Sequence, residues 1–425
     1  MSREFRINSF KLFSLFFALF PLLGIYASGI QGVSLGDFCL LITAILIMTQ
    51  KGILFTIPQI YKPLYLYACY GFLITIVSIG IYSWLDVYSV LYELAGKCLY
   101  YILLFLSFHF VRRHFFDYYL LRISDVVVLF FFVQYVGSLL GIHLSGIIPL
   151  LPLSNEVDTT FFIQHQLESI RFSSLFCEPS HYAQFLCIPT ILLLYQEKKA
   201  KLRILMYSIS MLLSQSANGF AIVVIIGLYY FIFYLRNIVS LKRRILFIFS
   251  FLLVGVCLFI YLNEVIGKVL IRFSEISFEG SPGSINGNSS FIRVLRGYIL
   301  FDEYDWLHKL LGYGWGSIGC YVKMHPETAY LDVTSSLPTY VNSLQYMLLS
   351  TGVLGLIMIL FTFYKMYSKN TDTAKNMLLV LFILLFSSDV FGGYLAMITF
   401  YIAYTEKRQI EFRLKKNVLG YILVN

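Results

Sequence analysis

The chain has 425 residues, 59% of them hydrophobic and only 13% charged, with 40 Phe, 33 Tyr and a net charge of +9; its mean hydropathy is +0.77. Soluble domains carry about 25% charged residues, so a water-soluble domain around one core is excluded, and long charge-free runs exclude a β-barrel, whose strands are short and alternating. The basic residues sit in short clusters between apolar runs, which excludes a nucleic-acid interface and leaves an all-α polytopic membrane protein, because helices satisfy their own backbone groups in lipid.

In chain order, the apolar pattern predicts about twelve transmembrane helices, with about 20 residues needed per crossing. They cover 10–29, 33–49, 63–83, 89–110, 123–145, 181–196, 203–216, 219–235, 245–262, 342–364, 376–388 and 391–404. The first follows a basic start, "MSREFRINSFKLF", with no small-residue cleavage site, and reads as an uncleaved span. Several are short, and those near Ser214 and Asp389 are expected to be tilted, broken or half-spanning. Basic clusters recur at Arg3, Arg6 and Lys11, at Lys51 and Lys62, at Arg112, Arg113 and Arg122, at 197–203, at 236–244, at Lys365, Lys369 and Lys375, and at 406–416. Twelve crossings place them all on one side, the cytoplasm by the positive-inside rule. The expectation is one integral membrane domain, 1–425, in a bacterial inner membrane with both termini cytoplasmic. No internal repeat is visible. The seven Cys are scattered: Cys39, Cys69, Cys98, Cys187 and Cys257 fall in or beside apolar runs, and Cys177 and Cys320 in loops.

Two long segments, 146–180 and 263–341, fall on the outer side, the second carrying the Gly/Ser/Asn-rich "FEGSPGSINGNSS". After it, "SFIRVLRGYILFDEYDWLHKLLGYGWG" reads as an amphipathic helix on the membrane surface. Against the positive-inside rule, the outer segments hold Arg171, Lys268, Arg272, Arg293, Arg296, Lys309 and Lys323. Arg293 and Arg296 are three apart and share a helix face. With Arg171 they either clamp phosphate oxygens, which guanidinium forks suit, or snorkel from an interfacial helix and pair with Asp302, Glu303 or Asp305. In "RFSSLFCEPSHYAQFL", 171–186, Pro179 opens a helix with His181 in its first turn. Glu178 either accepts a proton or pairs with Arg171. The Glu-Pro-Ser-His spacing fits no metal site, and no metal or other cofactor is expected. "HPE" at 325–327 supplies a further histidine and carboxylate, or a solvated loop. "SQSANG", 214–219, reads as a tight turn. "GYGWG", 312–316, offers exposed amides or an irregular loop, and lacks the Lys and Ser/Thr of a phosphate loop. Tyr313 and Trp315 either stack on a sugar or anchor at the interface.

The order of these pieces resembles the family of bacterial O-antigen and capsule polymerases, which is related to the O-antigen ligases. The shared pattern runs through "RFSSLFCEPSHYA", the turn "LLSQSANGF", an outer loop with arginines, "LGYGWGS", and "VNSLQYMLLSTGVLG" from Asn342 to Gly355, covering most of about 165–360. The resemblance implies a glycosyltransferase-C-like membrane fold. It also implies transfer of a growing glycan from undecaprenyl diphosphate to the non-reducing sugar of another lipid-linked repeat unit, with inversion. The implied partners are the undecaprenyl-diphosphate-linked oligosaccharide, membrane lipids and a chain-length regulator. Arg171 and Arg293 would be the anionic clamps, Arg296 a neighbour or substitute, Glu178 an organiser of the site and Asn342 part of its lining. The base is open among His325, His181, Glu178 and Asp302. The catalytic candidates are therefore Arg171, Glu178, Arg293 and His325, with Arg296, His181, Tyr313 and Asn342 binding substrate. Ligases carry a His near the position where this chain reads "LPTYVNSL", with Tyr340 and Val341, which favours polymerase over ligase. A transporter of lipid-linked glycan is a further alternative, and it would need charge in the bilayer interior.

Overall fold

The computed structural model describes residues 8–51, 58–148, 150–154, 171–196, 200–237, 296–325, 341–368 and 370–422, with isolated positions between 240 and 249. Among them the architecture is all-α, apart from isolated bridges pairing Tyr26 with Leu153 and Ala27 with Ser34. The helices are α1 (Ser9–Leu23), α2 (Leu35–Lys51), α3 (Lys62–Ile81), α4 (Val87–Phe110), α5 (Arg113–Leu139), α6 (Pro179–Gln196) and α7 (Lys201–Leu213). They continue with α8 (Ala217–Asn237), α9 (Arg296–Asp302), α10 (Trp306–Leu311), α11 (Ser317–Met324), α12 (Ser343–Tyr367), α13 (Asp372–Leu384) and α14 (Tyr394–Ile422). A 3-10 turn, Gln59–Tyr61, leads into α3.

Short polar side chains set several of the starts, because a helix leaves its first N–H groups unpaired. Asp86 accepts from the N–H of Tyr88 at α4, and Thr371 from that of Ala374 at α13. At α12, Asn342 accepts from the N–H of Gln345 at 2.9 Å while Gln345 Oε1 accepts from the N–H of Asn342 at 3.3 Å. The pair closes a reciprocal capping box.

Five helices among the described residues are long and apolar enough to cross a membrane: Gln59–Ile81, α4, α5, Ala217–Arg236 within α8, and α12; α1 and Leu35–Gln50 are shorter apolar helices. This corrects the expectation of about twelve crossings. The α7 and α13 helices have 13 residues each. At about 1.5 Å per residue each spans about 20 Å, short of a hydrocarbon core about 30 Å thick. Hydropathy cannot tell a full crossing from an apolar helix that turns back part-way. The expected span 245–262 lies almost wholly outside the described residues. The span expected at 123–145 begins instead at Arg113. Its basic end stays helical because Arg113 pairs with Asp117 at 2.7 Å and Glu406 at 3.2 Å, and its Nη1 donates to Thr405 at 2.8 Å.

The bundle is built around α12, where more than half of the spanning window is buried, against about a third or less in the other four. It packs on α3, α10, α9 and α13, while α6 packs between α8, α7 and α13. Large apolar side chains are exposed on the long helices, including Leu66 and Leu73 of α3, Leu129 and Val133 of α5, and Leu228 and Ile232 of α8. That surface suits lipid, as a membrane protein requires.

The surface helix expected at 290–316 is not continuous. From Arg296 onward the chain folds into α9, α10 and α11 and packs against the bundle. Arg296 is 1% exposed, so it does not snorkel. The glycines of "GYGWG" explain the insertion. Gly312 has a φ of +77° and a Cβ there would lie 2.5 Å from the Ser350 carbonyl carbon; Gly352, inside α12, has a φ of +63° and its Cβ would lie 2.5 Å from the Leu310 carbonyl carbon. Each glycine lets the other's backbone approach. At this kink α12 releases two carbonyls: Leu349 O accepts from the N–H of Tyr313 at 3.3 Å, and Ser350 O from that of Gly314 at 2.8 Å.

Candidate functional site

Two hairpins, each with one 13-residue arm, meet inside the bundle. The turn between α7 and α8, Ser214–Ser216, faces the 385–393 turn between α13 and α14, and Asn218 Nδ2 donates to Ser388 Oγ at 2.8 Å. The α12 N-terminus closes against the same turn. Asn342 Nδ2 donates to the Phe386 carbonyl at 2.9 Å, and the N–H groups of Ser343 and Leu344 donate to the carbonyls of Ser388 and Leu385. The α6 N-terminus arrives beside it, where Tyr394 Oη donates to the His181 carbonyl at 2.7 Å. Polar helix ends from α6, α8 and α12 thus converge on the 385–393 turn.

Consecutive residues of that turn face different neighbours. Ser388 meets Asn218. Asp389 lies on the other flank, where it accepts from Ser343 Oγ at 3.0 Å; the same Oγ accepts from the N–H groups of Val390 and Phe391. On this second flank a narrow cleft, with room for about one water molecule, is lined by Lys97, Tyr100, Trp315, Ser343, Tyr346 and Asp389, among others. Lys97 lies near the middle of α4, about 15 Å from its start at 1.5 Å per residue. An ammonium at membrane mid-depth costs about 3 kcal/mol. Its Nζ sits 4.3 Å from the Tyr346 ring centroid, a cation–π contact worth about 0.5–2 kcal/mol, which offsets only part of that cost. Tyr346 Oη in turn donates to Glu93 at 2.5 Å.

The sequence-derived candidates are placed as follows. Arg171 is half-buried at the head of the loop leading to α6. That loop is fixed by α5: Gln134 Oε1 accepts from the N–H of Ser174 at 2.9 Å, Ser174 Oγ donates to the Val127 carbonyl at 2.6 Å, and Ser174 adopts a φ of +53°. Glu178 is half-buried and accepts from Ser180 Oγ at 2.9 Å. His181 is exposed at the mouth of α6. Arg293 lies outside the described residues. Arg296 packs beside Gly297, which sits against Gln345; Gln345 is on a different face of α12 from Ser343 and Tyr346, which share one. Burial in that seam lowers the Arg296 guanidinium to about 10. Asn342 is fully enclosed as a helix cap. The arrangement brings the α6 mouth and Asn342 to the same turn, with Gly297, the residue after Arg296, against Asn342's capping partner.

Tyr313 and His325 belong to a separate aromatic cluster on the α9–α11 cap. Tyr313 has one face stacked on His308, with centroids 3.8 Å apart, and meets Tyr304 and Trp84 edge-on. His325 is exposed beside Tyr321. Asp302 is exposed and pairs with Lys309 at 3.2 Å. Within the same cap, His308 links Asp305 through Nδ1 and Tyr82 through Nε2, the latter at 2.5 Å. The "GYGWG" amides are engaged rather than exposed, Trp315 N–H donating to Thr75 Oγ1 at 2.8 Å. Cys177 and Cys320 are free thiols.

Sequence reasoning passed over Glu93, Lys97 and Tyr100, and took Asp389 only as the mark of a broken helix. The signal was present: Glu93 and Lys97 stand four apart inside the predicted span 89–110, and ionisable residues within a span mark function by default. Among the described residues no His/Cys/Asp/Glu group could hold a metal ion. Comparison with protein-family models, curated proteins and solved structures gives no match.

Proposed function

We propose that the chain is a membrane glycosyltransferase of the polysaccharide-polymerase kind. It moves a growing glycan from undecaprenyl diphosphate to the non-reducing end of another lipid-linked repeat unit. In this reading the fold is glycosyltransferase-C-like, the α9–α11 cap faces the periplasm, and both termini are cytoplasmic, as the basic clusters favour. The supporting observation is the convergence of three polar helix ends, from α6, α8 and α12, on the 385–393 turn, where the 13-residue α13 stops short of a full crossing. Such a convergence opens polar space at a depth that a lipid-tethered head group reaches without leaving the membrane.

The chemistry asks little more of the chain. Diphosphate is a good leaving group, and arginines held in place stabilise the charge that grows on it. Arg171 and Arg293 take that role, with Arg296 nearby. A carboxylate or imidazole at the mouth removes the acceptor proton, for which Glu178 is best placed, and a single displacement inverts the anomeric carbon.

Alanine at Arg171 or Arg293 should abolish polymer ladders while leaving single repeat units on the cell surface. Normal ladders from a stably expressed variant refute the assignment. Complete loss of surface glycan on intact core would point to a ligase. The charges at depth, Glu93 and Lys97, favour one other reading, a transporter of lipid-linked glycan. Reconstituted protein supplied with lipid-linked repeat units separates the two: polymer without net translocation supports the transferase.

A further inference from the structure

We propose that 306–316 is a re-entrant segment that dips into the bilayer and returns to the same face, with the Trp306, Leu307 and Leu310 side of α10 lying against lipid acyl chains. Its depth follows from α3 and α4, which pass alongside it. α3 has 20 residues, about 30 Å at about 1.5 Å per residue, which matches a hydrocarbon core. Lys62 stands at one end, and Tyr82, Trp84 and Asp86 follow the other, so Ile81 marks the membrane boundary. The segment enters there, where His308 bonds the Tyr82 hydroxyl. It then descends. Trp315 N–H donates to Thr75 Oγ1 at 2.8 Å, six residues and about 9 Å below Ile81. The Trp315 ring packs on Gly71, about 15 Å below Ile81 and near the bilayer centre. The chain climbs back along α4: Gly316 lies against Val90, and Cys320 Sγ accepts from the N–H of Asp86, the α4 cap, at 3.4 Å.

Hydrocarbon tolerates irregular backbone only where protein satisfies its polar groups. Here four consecutive N–H groups are paired: Gly312 with the His308 carbonyl, Tyr313 with Leu349, Gly314 with Ser350, and Trp315 with Thr75. The Leu311 carbonyl accepts from Tyr70 Oη at 2.8 Å and the Gly314 carbonyl from Ser317 Oγ at 2.7 Å. Residues 310–322 carry no charged side chain. Lys309, the last charge before them, reaches back to Asp302, as a snorkelling lysine does. Trp306 is 77% exposed, and Leu307 and Leu310 beside it are exposed as well. Tyr70, which holds the end of α10, stands in one α3 stripe with Leu66, Leu73 and Val77, all exposed. The apolar side of α10 therefore continues the lipid-facing surface of α3, which selects acyl chains as its occupant. This placement is independent of the transferase reading.

The chain has three Trp, so the difference in emission between W84F and W84F/W306F isolates Trp306. Adding L310W to the second variant moves the probe one turn further along α10, about 6 Å. In nanodiscs of phosphatidylcholine brominated near the head group, Trp306 should lose most of its emission, and aqueous iodide should leave it nearly unchanged. L310W should respond more than Trp306 to bromines near the chain ends. If Leu310→Trp does not fold, labelling decides the depth: a membrane-impermeant maleimide should modify E303C beyond the wild-type level and L310C not at all.

Quenching of Trp306 by iodide and not by bromolipid overturns the proposal, because α10 then faces water. Protection of Trp306 from both quenchers overturns it too, since protein, a second copy or a partner helix, then covers that side. L310W quenched at the same depth as Trp306, or L310C labelled as readily as E303C, leaves α10 flat on the surface and overturns the re-entry.

Discussion

Gly352→Ala tests the joint that seats the α9–α11 cap on the bundle. At φ +63° and ψ −169° the backbone occupies a region open essentially to glycine alone, and an L residue there costs about 1–3 kcal/mol. The new Cβ would lie 2.5 Å from the Leu310 carbonyl carbon and 2.7 Å from Gly312 N. Both are backbone atoms that cannot rotate away, so the clash adds about 1–3 kcal/mol of overpacking. Separating α10 from α12 also strains the hydrogen bonds from Tyr313 to Leu349 and Gly314 to Ser350, each worth about 1 kcal/mol. The sum is about 5 kcal/mol. At about 2 °C per kcal/mol the melting temperature should fall by about 10 °C, read by tryptophan fluorescence in detergent. Gly80 of α3 is the control, since nothing lies within 4 Å of a Cβ there; Gly80→Ala should leave the melt unchanged or raise it slightly, by helix propensity. A Gly352→Ala protein melting within about 2 °C of wild type would show that the joint is not held by backbone contact, against the packing cost assumed here.

Three further outcomes follow from the same geometry. Asn342→Ala removes the capping box and the bond to Phe386 and should cost about 1–3 kcal/mol, seen as a melting shift of a few degrees, about 2 °C per kcal/mol; Asn342→Asp restores the cap acceptor but sets a buried carboxylate against the Phe386 carbonyl, so it should not recover the loss. Arg113→Met leaves Asp117 and Glu406 facing each other without their shared cation and should cost about 3–5 kcal/mol, with partial recovery when Glu406→Gln is added. Burial raises the Asp305 carboxyl, but hydrogen bonds from the His308 side chain and the His308 and Leu307 backbone outweigh it and hold the carboxyl below its usual range. A depressed carboxyl contributes stability that is present above the ordinary carboxylate range and lost as pH falls through its folded value. An acid limb of that sign should therefore appear in the melting curve and flatten in Asp305→Asn.

The sequence alone determined the class of the protein. With 13% charge and long apolar runs, the backbone has to pair with itself, and helices in lipid are what remain. It also marked the polar breaks near Ser214 and Asp389, because a serine- or glycine-rich interruption of an apolar run is a local property. The signals that decide an interior were not local. Hydropathy counted about twelve crossings where the described residues hold five long enough, since it measures apolar length and not whether a helix turns back at Asn218 or Ser388. Arg296 reads as a surface charge until Gly297 is seen against Gln345. "GYGWG" reads as an open loop until Gly352 releases the carbonyls it binds. Lys97 reads as one cation among 32 Lys and Arg until α4, the α12 N-terminus and the 385–393 turn enclose it beside Tyr100. Those facts depend on residues up to about three hundred positions apart coming within a few ångströms, and only the tertiary packing decides that.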